Sequence, residues 1–393
     1  MMEYGKVLAV HGPWDARVHS YPLPDVAEDG MLIRVEAALI CGSDGHFIQS
    51  NPETPFCLGH EFAGRVVKMG SQAHKSIHAF GGPLKEGDRI VVYPHVVCGE
   101  CEDCLTLGNG VCGVCKRDFL YGGPDISQMN DPILNTDPNA GVHFKGGFAQ
   151  YVYLFPNTFV WKIPDDMPSK VAALMDPLAV AMRAVEMGMT EIGVLQEGIS
   201  TNTRALVIGA GPIGILAAMI LRTMGVEQLV ISDQIQKKLD TAKELSGADL
   251  VLNMQGLDSK ARAELVREKM NGGPHLVLQC ANHRSATLEG LKMVRPLGTF
   301  VEVGMPMVLD PSHPNPSNID LGEYIFEKSV RVMGMNSNTV GCFNRAFHLL
   351  KRHKTIPFEK LITHEFHQLE DFLPTIQQMR SETYLKGALV WEE

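Results

Sequence analysis

Four cysteines lie within one short stretch of the chain in the spacing C-x2-C-x2-C-x7-C, at Cys98, Cys101, Cys104 and Cys112. Gaps of two residues allow neighbouring thiolates to converge on one tetrahedral ion, with each sulfur about 2.3 Å from the metal. A pair of disulfides is the alternative, but the first residues lack the charged start and apolar run of a secretory signal. The spacing therefore predicts a structural zinc site.

A second group of possible metal ligands lies upstream, in Cys41-Gly42-Ser43-Asp44-Gly45-His46 and Gly59-His60-Glu61. One thiolate and one imidazole, each beside a glycine and each after a β-rich run, suit an open catalytic zinc that keeps a position for substrate. Either residue alone would more often be structural. Cys41 and His60 together become evidence for a catalytic zinc because the chain also contains the four-cysteine stretch and a dinucleotide motif. An enzyme that transfers hydride from an alcohol to a dinucleotide needs an electrophile that stabilises negative charge on the alcohol oxygen.

The dinucleotide motif follows an apolar run from Arg204 to Ile208 and reads Gly209-Ala210-Gly211-Pro212-Ile213-Gly214, which is G-x-G-x-x-G. Gly209 permits a tight turn, Gly211 lets the backbone approach a pyrophosphate, and Gly214 allows the next helix to pack closely. The start of that helix offers N–H groups to the anion. The context of strand, glycines and helix is what makes this motif informative.

Asp233 ends a second strand-like run, nineteen residues beyond Gly214. A carboxylate there can accept hydrogen bonds from both hydroxyls of an adenine ribose and would repel a 2′-phosphate. We therefore expect NAD rather than NADP. Lys237 and Lys238 keep the alternative open, since either could reach a ribose phosphate, and Lys238 is counted among the cofactor-binding candidates.

Strand and helix patterns alternate further downstream. The β-rich runs are Asp249 to Leu252, His275 to Gln279 and Thr299 to Val303, and the helical patterns are Ser259 to Met270 and Ser285 to Val294. This alternation predicts a doubly wound parallel sheet with its ligand at the carboxyl edge of the strands. Val303, Gly304 and Met305 lie at such an edge and are predicted to line the nicotinamide. Cys280 could do so too, or could simply close a strand.

Composition limits the remaining possibilities. A chain of 393 residues is too long for a single core and predicts two domains. The formal net charge of −10 weighs against nucleic-acid and anionic-membrane partners. No stretch approaches the ~18 apolar residues of a membrane span, so we expect a cytoplasmic protein. Nine cysteines, an odd number, fit metal ligands and free thiols better than a disulfide framework.

The order C-G-[ST]-D-x-H, G-H-E, C-x2-C-x2-C-x7-C and G-x-G-x-x-G closely resembles the zinc-dependent medium-chain dehydrogenases, the alcohol, polyol and threonine dehydrogenase superfamily. Gly87-Asp88-Arg89 looks like the G-D-R turn of that family, and residues 146–151 are similar to its G-G-F-A-E-Y strand. The resemblance implies an α/β protein with a GroES-like, mostly-β catalytic domain (residues 1–177 and 336–393) and a Rossmann domain (178–335). It also implies a homodimer or homotetramer.

The resemblance further implies two zinc ions per chain and NAD. The catalytic zinc ligands carried over from the family are Cys41, His60 and Asp176, the last binding directly or through a water. Glu61 matches a glutamate that can move onto the metal, and Ser43 with His46 matches the proton relay. Asp44 more readily orients a zinc ligand than takes part in chemistry.

These features predict oxidation of a secondary alcohol, with a polyol, cyclitol or sugar-derived substrate favoured by Asp176 and by the segment 335–339. An amino-alcohol dehydrogenase similar to threonine dehydrogenase is the alternative, followed by a simple alcohol or aldehyde dehydrogenase. An inactive NAD-binding zinc scaffold belongs to another class, and it is opposed by the intact residues Cys41, Ser43, His46, His60 and Glu61. The long segments 72–84, 116–143 and 306–320 carry no assigned role.

Overall fold

A computed structural model of the chain describes residues 3–52, 55–107, 115, 117–123, 143–189, 200–304 and 320–391. The chain forms two compact units, one of Met1–Asp176 with Asn338–Glu393 and the other of Pro177–Ser337. The sequence placed these boundaries after residue 177 and before residue 336. Within the described ranges, none of the helices combines the length and the apolar character needed to span a bilayer.

The first unit is mostly β-structure. Its amino-terminal segment contains strands β1 (Tyr4–Gly12), β2 (Asp15–Pro22), β3 (Met31–Leu39), β4 (Phe56–Cys57), β5 (Glu61–Met69), β6 (His78–Phe80), β7 (Arg89–Val92), β8 (His95–Val96), β9 (Phe119–Leu120), β10 (Tyr151–Leu154) and β11 (Phe159–Lys162). Short helices lie between them: α1 (Asp44–Phe47), α2 (Ala73–Ser76), α3 (Glu102–Leu107) and α4 (Ser169–Ala173).

The second unit alternates helices and strands. These are α5 (Met175–Met189), which begins in the first unit, then β12 (Arg204–Ile208), α6 (Pro212–Thr223), β13 (Gln228–Asp233), α7 (Gln236–Ser246), β14 (Leu250–Asn253), α8 (Ser259–Lys269), β15 (Leu276–Gln279), α9 (Arg284–Met293), β16 (Thr299–Glu302) and β17 (Arg331–Gly334). A single π-helical turn, Gly322–Phe326, precedes β17.

The chain then returns to the first unit. This return segment holds α10 (Val340–Leu350), β18 (Ile362–Phe366), α11 (Phe372–Gln377) and β19 (Lys386–Val390). Short 3-10 turns lie at Phe358–Leu361, Leu369–Asp371 and Gln378–Arg380. Strand β19 pairs antiparallel with β3, so the last strand of the described chain joins the sheet that the first segment began.

The strands of the first unit form one large sheet and two small ones. The large sheet has the order β18-β19-β3-β5-β7-β11-β6, with β10 also paired to β3. Strand β3 reads Met-Leu-Ile-Arg-Val-Glu-Ala-Ala-Leu and is buried at most positions, which is the pattern of a central strand covered on both faces. Its neighbours β5 and β19 begin at the edge where β3 ends.

A half-buried carboxylate on β3 connects this sheet to helix α4. Glu36 accepts hydrogen bonds from Arg89 Nε at 3.0 Å and from Ser169 Oγ at 2.5 Å, and it forms an ion pair with Arg65 at 2.8 Å. Arg89 also donates to the Met167 carbonyl at 2.8 Å. The arginine of the Gly-Asp-Arg turn therefore stabilises packing between elements that are distant in sequence.

The second unit confirms the predicted doubly wound fold. Its strands form a parallel sheet in the order β14-β13-β12-β15-β16-β17. Every predicted strand run in this unit lies within one residue of an observed strand, and helices α8 and α9 lie within one residue of the predicted helical segments. The strand order reverses between β12 and β15, which is where such sheets bind nucleotides.

Candidate active site

The cysteine-rich segment brings four sulfur atoms together. The ligand atoms of Cys98, Cys101, Cys104 and Cys115 all lie within 4.8 Å of one another. Backbone N–H groups point at these sulfurs: Cys101 N lies 3.3 Å from Cys98 Sγ, and Cys98 N lies 3.4 Å from Cys115 Sγ. Burial opposes ionisation of Cys98, but hydrogen bonds from the Glu100 and Cys101 N–H groups and from the side chains of Arg117 and Cys115 together lower the pKa of Cys98 to about 6. Four converging thiols, one of them readily ionised, fit a zinc ion.

The fourth member of this group differs from the sequence prediction. Cys112 lies outside the described residues, so its predicted role as a zinc ligand stays a prediction. The described geometry instead brings Cys115 to the other three, and its side chain is 8% exposed. The spacing of the observed group is C-x2-C-x2-C-x10-C. The eight described cysteines are free thiols, as the zinc interpretation expects.

The predicted catalytic residues meet at one end of the large sheet. Cys41 follows the end of β3, while His60 precedes β5 and Glu61 begins it. Leu39 on β3 pairs with Glu61 on β5, so the antiparallel register brings these chain segments side by side. The ligand atoms of Cys41, His60 and Glu61 all lie within 4.8 Å of one another. One thiol, one imidazole and one carboxylate form a suitable donor set for an open zinc site.

His60 faces a buried carboxylate on helix α1. Asp44 is fully buried, and its Oδ1 lies 3.8 Å from His60 Nδ1. Its other oxygen accepts the N–H of Cys41 at 2.8 Å. Burial raises the pKa of Asp44, although His60 and the Cys41 N–H oppose that shift. Because Nδ1 faces Asp44, the geometry favours Nε2 as the metal-binding nitrogen and supports the orienting role predicted for Asp44.

Glu61 is paired with a lysine from the other end of the sequence. Lys386 Nζ lies 2.6 Å from Glu61 Oε1, and the two side chains are only 4% and 1% exposed. Burial, together with Cys41 and Asp176, raises the pKa of Glu61, while Lys386 opposes that shift. Burial disfavours the charged form of Lys386, but Glu61, Cys41 and Asp176 outweigh it and raise its pKa. Among the described residues, Glu61 Oε2 has no hydrogen-bond partner.

Asp176 is near this group but does not belong to it. Its carboxylate Oδ1 accepts a hydrogen bond from Asn338 Nδ2 at 2.9 Å, and both residues are buried. Tyr93, in turn, donates its hydroxyl to the Asn338 carbonyl at 3.2 Å. The sequence assigned the third ligand position to Asp176 and a mobile role to Glu61. The described geometry has Glu61 beside Cys41 and His60, because the fixed strand register of β5 carries it there.

Gly59, the residue before His60, packs closely against the Gly146-Gly147-Phe148 segment. Its φ is +97°, and a Cβ atom at this position would lie 2.7 Å from the backbone N of Phe148. Gly147 N donates to the Gly59 carbonyl at 2.6 Å, and Phe148 N donates to Leu58 at 3.0 Å. The Gly-Gly-Phe segment therefore packs directly behind the residue that precedes His60, and only glycine at position 59 permits this approach.

Ser43 and His46, the predicted proton relay, lie together at helix α1. Ser43 occupies the N-cap position, and its carbonyl accepts the His46 N–H at 2.9 Å. Three residues apart on a helical turn, the two side chains share one face. Burial lowers the pKa of His46, so the neutral, proton-accepting imidazole is favoured near neutral pH.

The glycine motif of the second unit has the geometry of a phosphate cradle. Gly209 has φ of +103°, and helix α6 starts at Pro212 directly after Gly211, with Ile213 and Gly214 in its first turn. A Cβ at Gly214 would lie 2.0 Å from the Gly209 carbonyl oxygen, whereas a Cβ at Gly211 would meet nothing within 4 Å. Close packing on one side and open space on the other fit a pyrophosphate above Gly211.

Asp233 ends β13 and is bound to this loop. Its Oδ2 accepts the Ala210 N–H at 2.7 Å, and its Oδ1 accepts the N–H groups of Gln234 and Ile235 at 2.7 and 2.9 Å. These bonds fix the carboxylate at the strand edge where a ribose would lie. Lys238 is half-buried on α7. Its predicted role in cofactor binding stays a prediction.

The loops after β15 and β16 are joined at the same edge. Val303 N and Gly304 N both donate to the Gln279 carbonyl, at 2.9 and 2.6 Å. A Cβ at Gly304 would lie 2.3 Å from the Ala281 carbonyl oxygen, so glycine is required for this close approach. Met305 lies outside the described residues, as do most of segments 116–143 and 306–320.

Sequence reasoning missed Lys386, Asn338 and Cys115. Lys386 lies in an otherwise apolar strand, where a single charge signals a buried partner. Asn338 belongs to a segment that was singled out without assigning a role to the side chain. Cys115 follows Cys112 by three residues and offers the same thiol, so spacing alone could not separate the two.

Comparison with known proteins identifies the family of the chain. The family model described as "Alcohol dehydrogenase GroES-like domain" matches residues 27–165, and the model described as "Zinc-binding dehydrogenase" matches residues 212–352. L-threonine 3-dehydrogenase of Bacillus subtilis is 29% identical over 97% of each chain. Sorbitol dehydrogenase of Macaca fascicularis is 30% identical over 76% of this chain and 74% of its own.

Solved structures share the fold. An alcohol dehydrogenase from Thermotoga maritima has a TM-score of 0.81 at 24% identity, covering 99% of this chain and 100% of its own. L-idonate 5-dehydrogenase of Escherichia coli has a TM-score of 0.76 at 24% identity, covering 100% and 99%. At this level of identity the likeness shows the architecture of both units and leaves the substrate open.

Proposed function

The chain belongs to the zinc-dependent medium-chain dehydrogenase superfamily, and from that premise we propose that it oxidises a secondary alcohol to a ketone with NAD as hydride acceptor. The observation that carries this proposal is the convergence of Cys41, His60 and Glu61 at the ends of neighbouring strands, with Ser43 and His46 on the adjoining helix. When bound, zinc would supply the positive charge that favours loss of the hydroxyl proton, and NAD would accept the hydride.

The residues of the chain then have separate tasks. Ser43 accepts the hydroxyl proton, and His46 passes it towards solvent as a neutral imidazole. Asp44 orients His60 through Nδ1, and Asn338 fixes the Asp176 carboxylate beside the group. In the second unit, Gly211 and the start of α6 hold the pyrophosphate, while Asp233 selects the ribose without a 2′-phosphate.

For the substrate we favour a polyol, a cyclitol or a sugar-derived alcohol. The carboxylate of Asp176 supports this choice, because it lies near the metal-binding group without belonging to it and can accept a hydrogen bond from a second hydroxyl of the substrate. A second candidate is an amino alcohol such as L-threonine, since the curated L-threonine 3-dehydrogenase of Bacillus subtilis aligns over 97% of each chain. An ammonium group would pair with the Asp176 carboxylate still better than a hydroxyl does.

NADH formation measured across a panel of alcohols tests the function. The panel contains sorbitol, a cyclitol, L-threonine and a simple secondary alcohol, each with NAD and with NADP. We expect turnover with a polyol or an amino alcohol, and Asp176→Ala to lower kcat/KM on the order of a hundredfold with little change in NAD affinity. Absence of turnover across the panel, with both cofactor and zinc bound, would favour the scaffold alternative.

The homo-oligomeric state stays a prediction. Strand β17 lies at one edge of the parallel sheet in the described part of the second unit, with Val332 44% exposed. An open edge strand is a natural place for a second copy to pair. We propose a homodimer or homotetramer, which sedimentation velocity on the purified chain would test.

A further inference from the structure

Lys386 is the one lysine with a buried side chain in the described chain, and its Nζ bonds to a residue of the candidate zinc site. Its Nζ donates to Glu61 Oε1 at 2.6 Å, although 325 residues separate the two in sequence. Its position follows from the sheet: β19 begins at Lys386, β3 ends beside it, and Ile40 N donates to the Gly387 carbonyl at 2.8 Å. The lysine therefore reaches past the end of β3 to the start of β5.

Burying such a pair is costly. Each ion loses its hydration, and a hydrophobic pair of similar volume would often be as stable. The ion pairs of Glu36 in the same unit serve packing between elements. Lys386 instead contacts a member of the metal-binding group directly, so a role in that group accounts for its retention better than stability does.

The two oxygens of Glu61 have different surroundings. Oε1 is occupied by Lys386, whereas Oε2 is buried and has no hydrogen-bond partner among the described residues. A carboxylate with both oxygens free can bind a metal through both of them and fill two coordination positions. A carboxylate with one oxygen held by an ammonium group can offer only the other.

We infer that Lys386 is a positioning residue that restricts Glu61 to one-oxygen coordination through Oε2 and thereby keeps a coordination position open for the substrate. This inference rests on the proposed function. With Cys41, His60 and one oxygen of Glu61 as protein ligands, a four-coordinate metal retains one open position. Without Lys386, Glu61 would bind through both oxygens and occupy that position, and the alcohol would have to displace a carboxylate oxygen.

Cobalt replacing zinc at the catalytic site reports this difference, because its visible absorption weakens as the coordination number rises. We compare wild type with Lys386→Met, which keeps side-chain length and removes the charge. For Lys386→Met we expect the absorption per bound cobalt to fall about twofold or more, because five ligands replace four. The KM for the alcohol should rise about tenfold, while the Kd for NADH changes little.

Lys170→Met is the matched control. Lys170 is also paired with carboxylates, Glu359 at 2.7 Å and Glu365 at 2.9 Å, but lies outside the metal-binding group. It should leave both the cobalt spectrum and the KM unchanged. Lys386→Ala offers a rescue experiment, since added ethylammonium should enter the space left by the side chain and restore the four-coordinate spectrum.

Three results would overturn the inference. One is a Lys386→Met spectrum equal to that of wild type at equal cobalt content, which would make Lys386 purely structural. Another is absence of rescue by ethylammonium in folded Lys386→Ala. The third needs no variant and uses wild-type protein with cobalt in the catalytic site and zinc in the cysteine site. X-ray absorption at the cobalt edge should show one carboxylate oxygen bound to cobalt. Two bound carboxylate oxygens would refute the restriction of Glu61 by Lys386. Failure of the wild type to take up cobalt at all would instead refute the proposed function.

Discussion

Replacing Cys115 tests which thiols form the structural zinc site. Structural zinc contributes about 10–16 kcal/mol through four ligands, so one thiolate is worth ~3 kcal/mol. In a domain of this size 1 kcal/mol moves Tm by about 2–4 °C, so Cys115→Ser should lower Tm by roughly 6–12 °C. Mass spectrometry for metals should find zinc falling from two ions per chain towards one. Differential scanning calorimetry of the same samples gives the change in Tm.

Cys112→Ser is the matched control, since it removes the same thiol only three residues away. If Cys115 is the fourth ligand, Cys112→Ser keeps two zinc ions and changes Tm by no more than ~2 °C, as an ordinary substitution does. The reverse pattern, with zinc and stability lost in Cys112→Ser and retained in Cys115→Ser, would refute the reasoning from the described geometry. It would restore the ligand set inferred from spacing alone.

Three further predictions concern other residues. Burial opposes ionisation of Glu36, but Ser169, Arg89 and Arg65 outweigh it and hold the pKa of Glu36 below its ordinary value of 4.5. The ionised Glu36 therefore stabilises the folded state above pH 4.5, and this stabilisation is lost as the pH falls further. Glu36→Gln should therefore cost about 2 kcal/mol at pH 7 and less near pH 3 in urea titrations, whereas the exposed Glu370→Gln should cost under ~0.5 kcal/mol at either pH. Wild type should use NAD at least about tenfold more efficiently than NADP, and Asp233→Ser should narrow that ratio; equal use by wild type would contradict the role of Asp233. His46→Ala should lower kcat mildly at pH 8 and about tenfold at pH 6, where proton release is hardest; a loss that is independent of pH would remove His46 from the relay.

Local patterns predicted the second unit well because its elements depend on near neighbours in sequence. The run Arg204 to Ile208 is apolar, the glycines after it require special backbone conformations, and Asp233 ends the next strand. Each of these features acts within a few residues. The same holds for Cys41 and His60, whose motifs contain the turns that orient them.

Contacts across long separations could not be predicted in the same way. The strand register that joins β3, β5 and β19 decides that Glu61 lies beside Cys41 and that Lys386 reaches Glu61. No local pattern encodes this register. The cysteine group shows another limit: its candidate ligands are chemically identical, so spacing in the sequence could not choose between Cys112 and Cys115.

The return of the chain to the first unit has a consequence for its synthesis. A ribosome makes Glu61 long before Lys386, with the whole second unit in between. The nascent catalytic unit therefore lacks strand β19 and the counter-ion of Glu61 while the nucleotide-binding unit, a continuous segment, already has all its strands. During that interval Glu61 has no lysine partner and faces an unfinished sheet edge. Assembly of the group formed by Cys41, His60 and Glu61 thus comes late in synthesis, because it depends on a non-local strand pairing that is intrinsically slow to form.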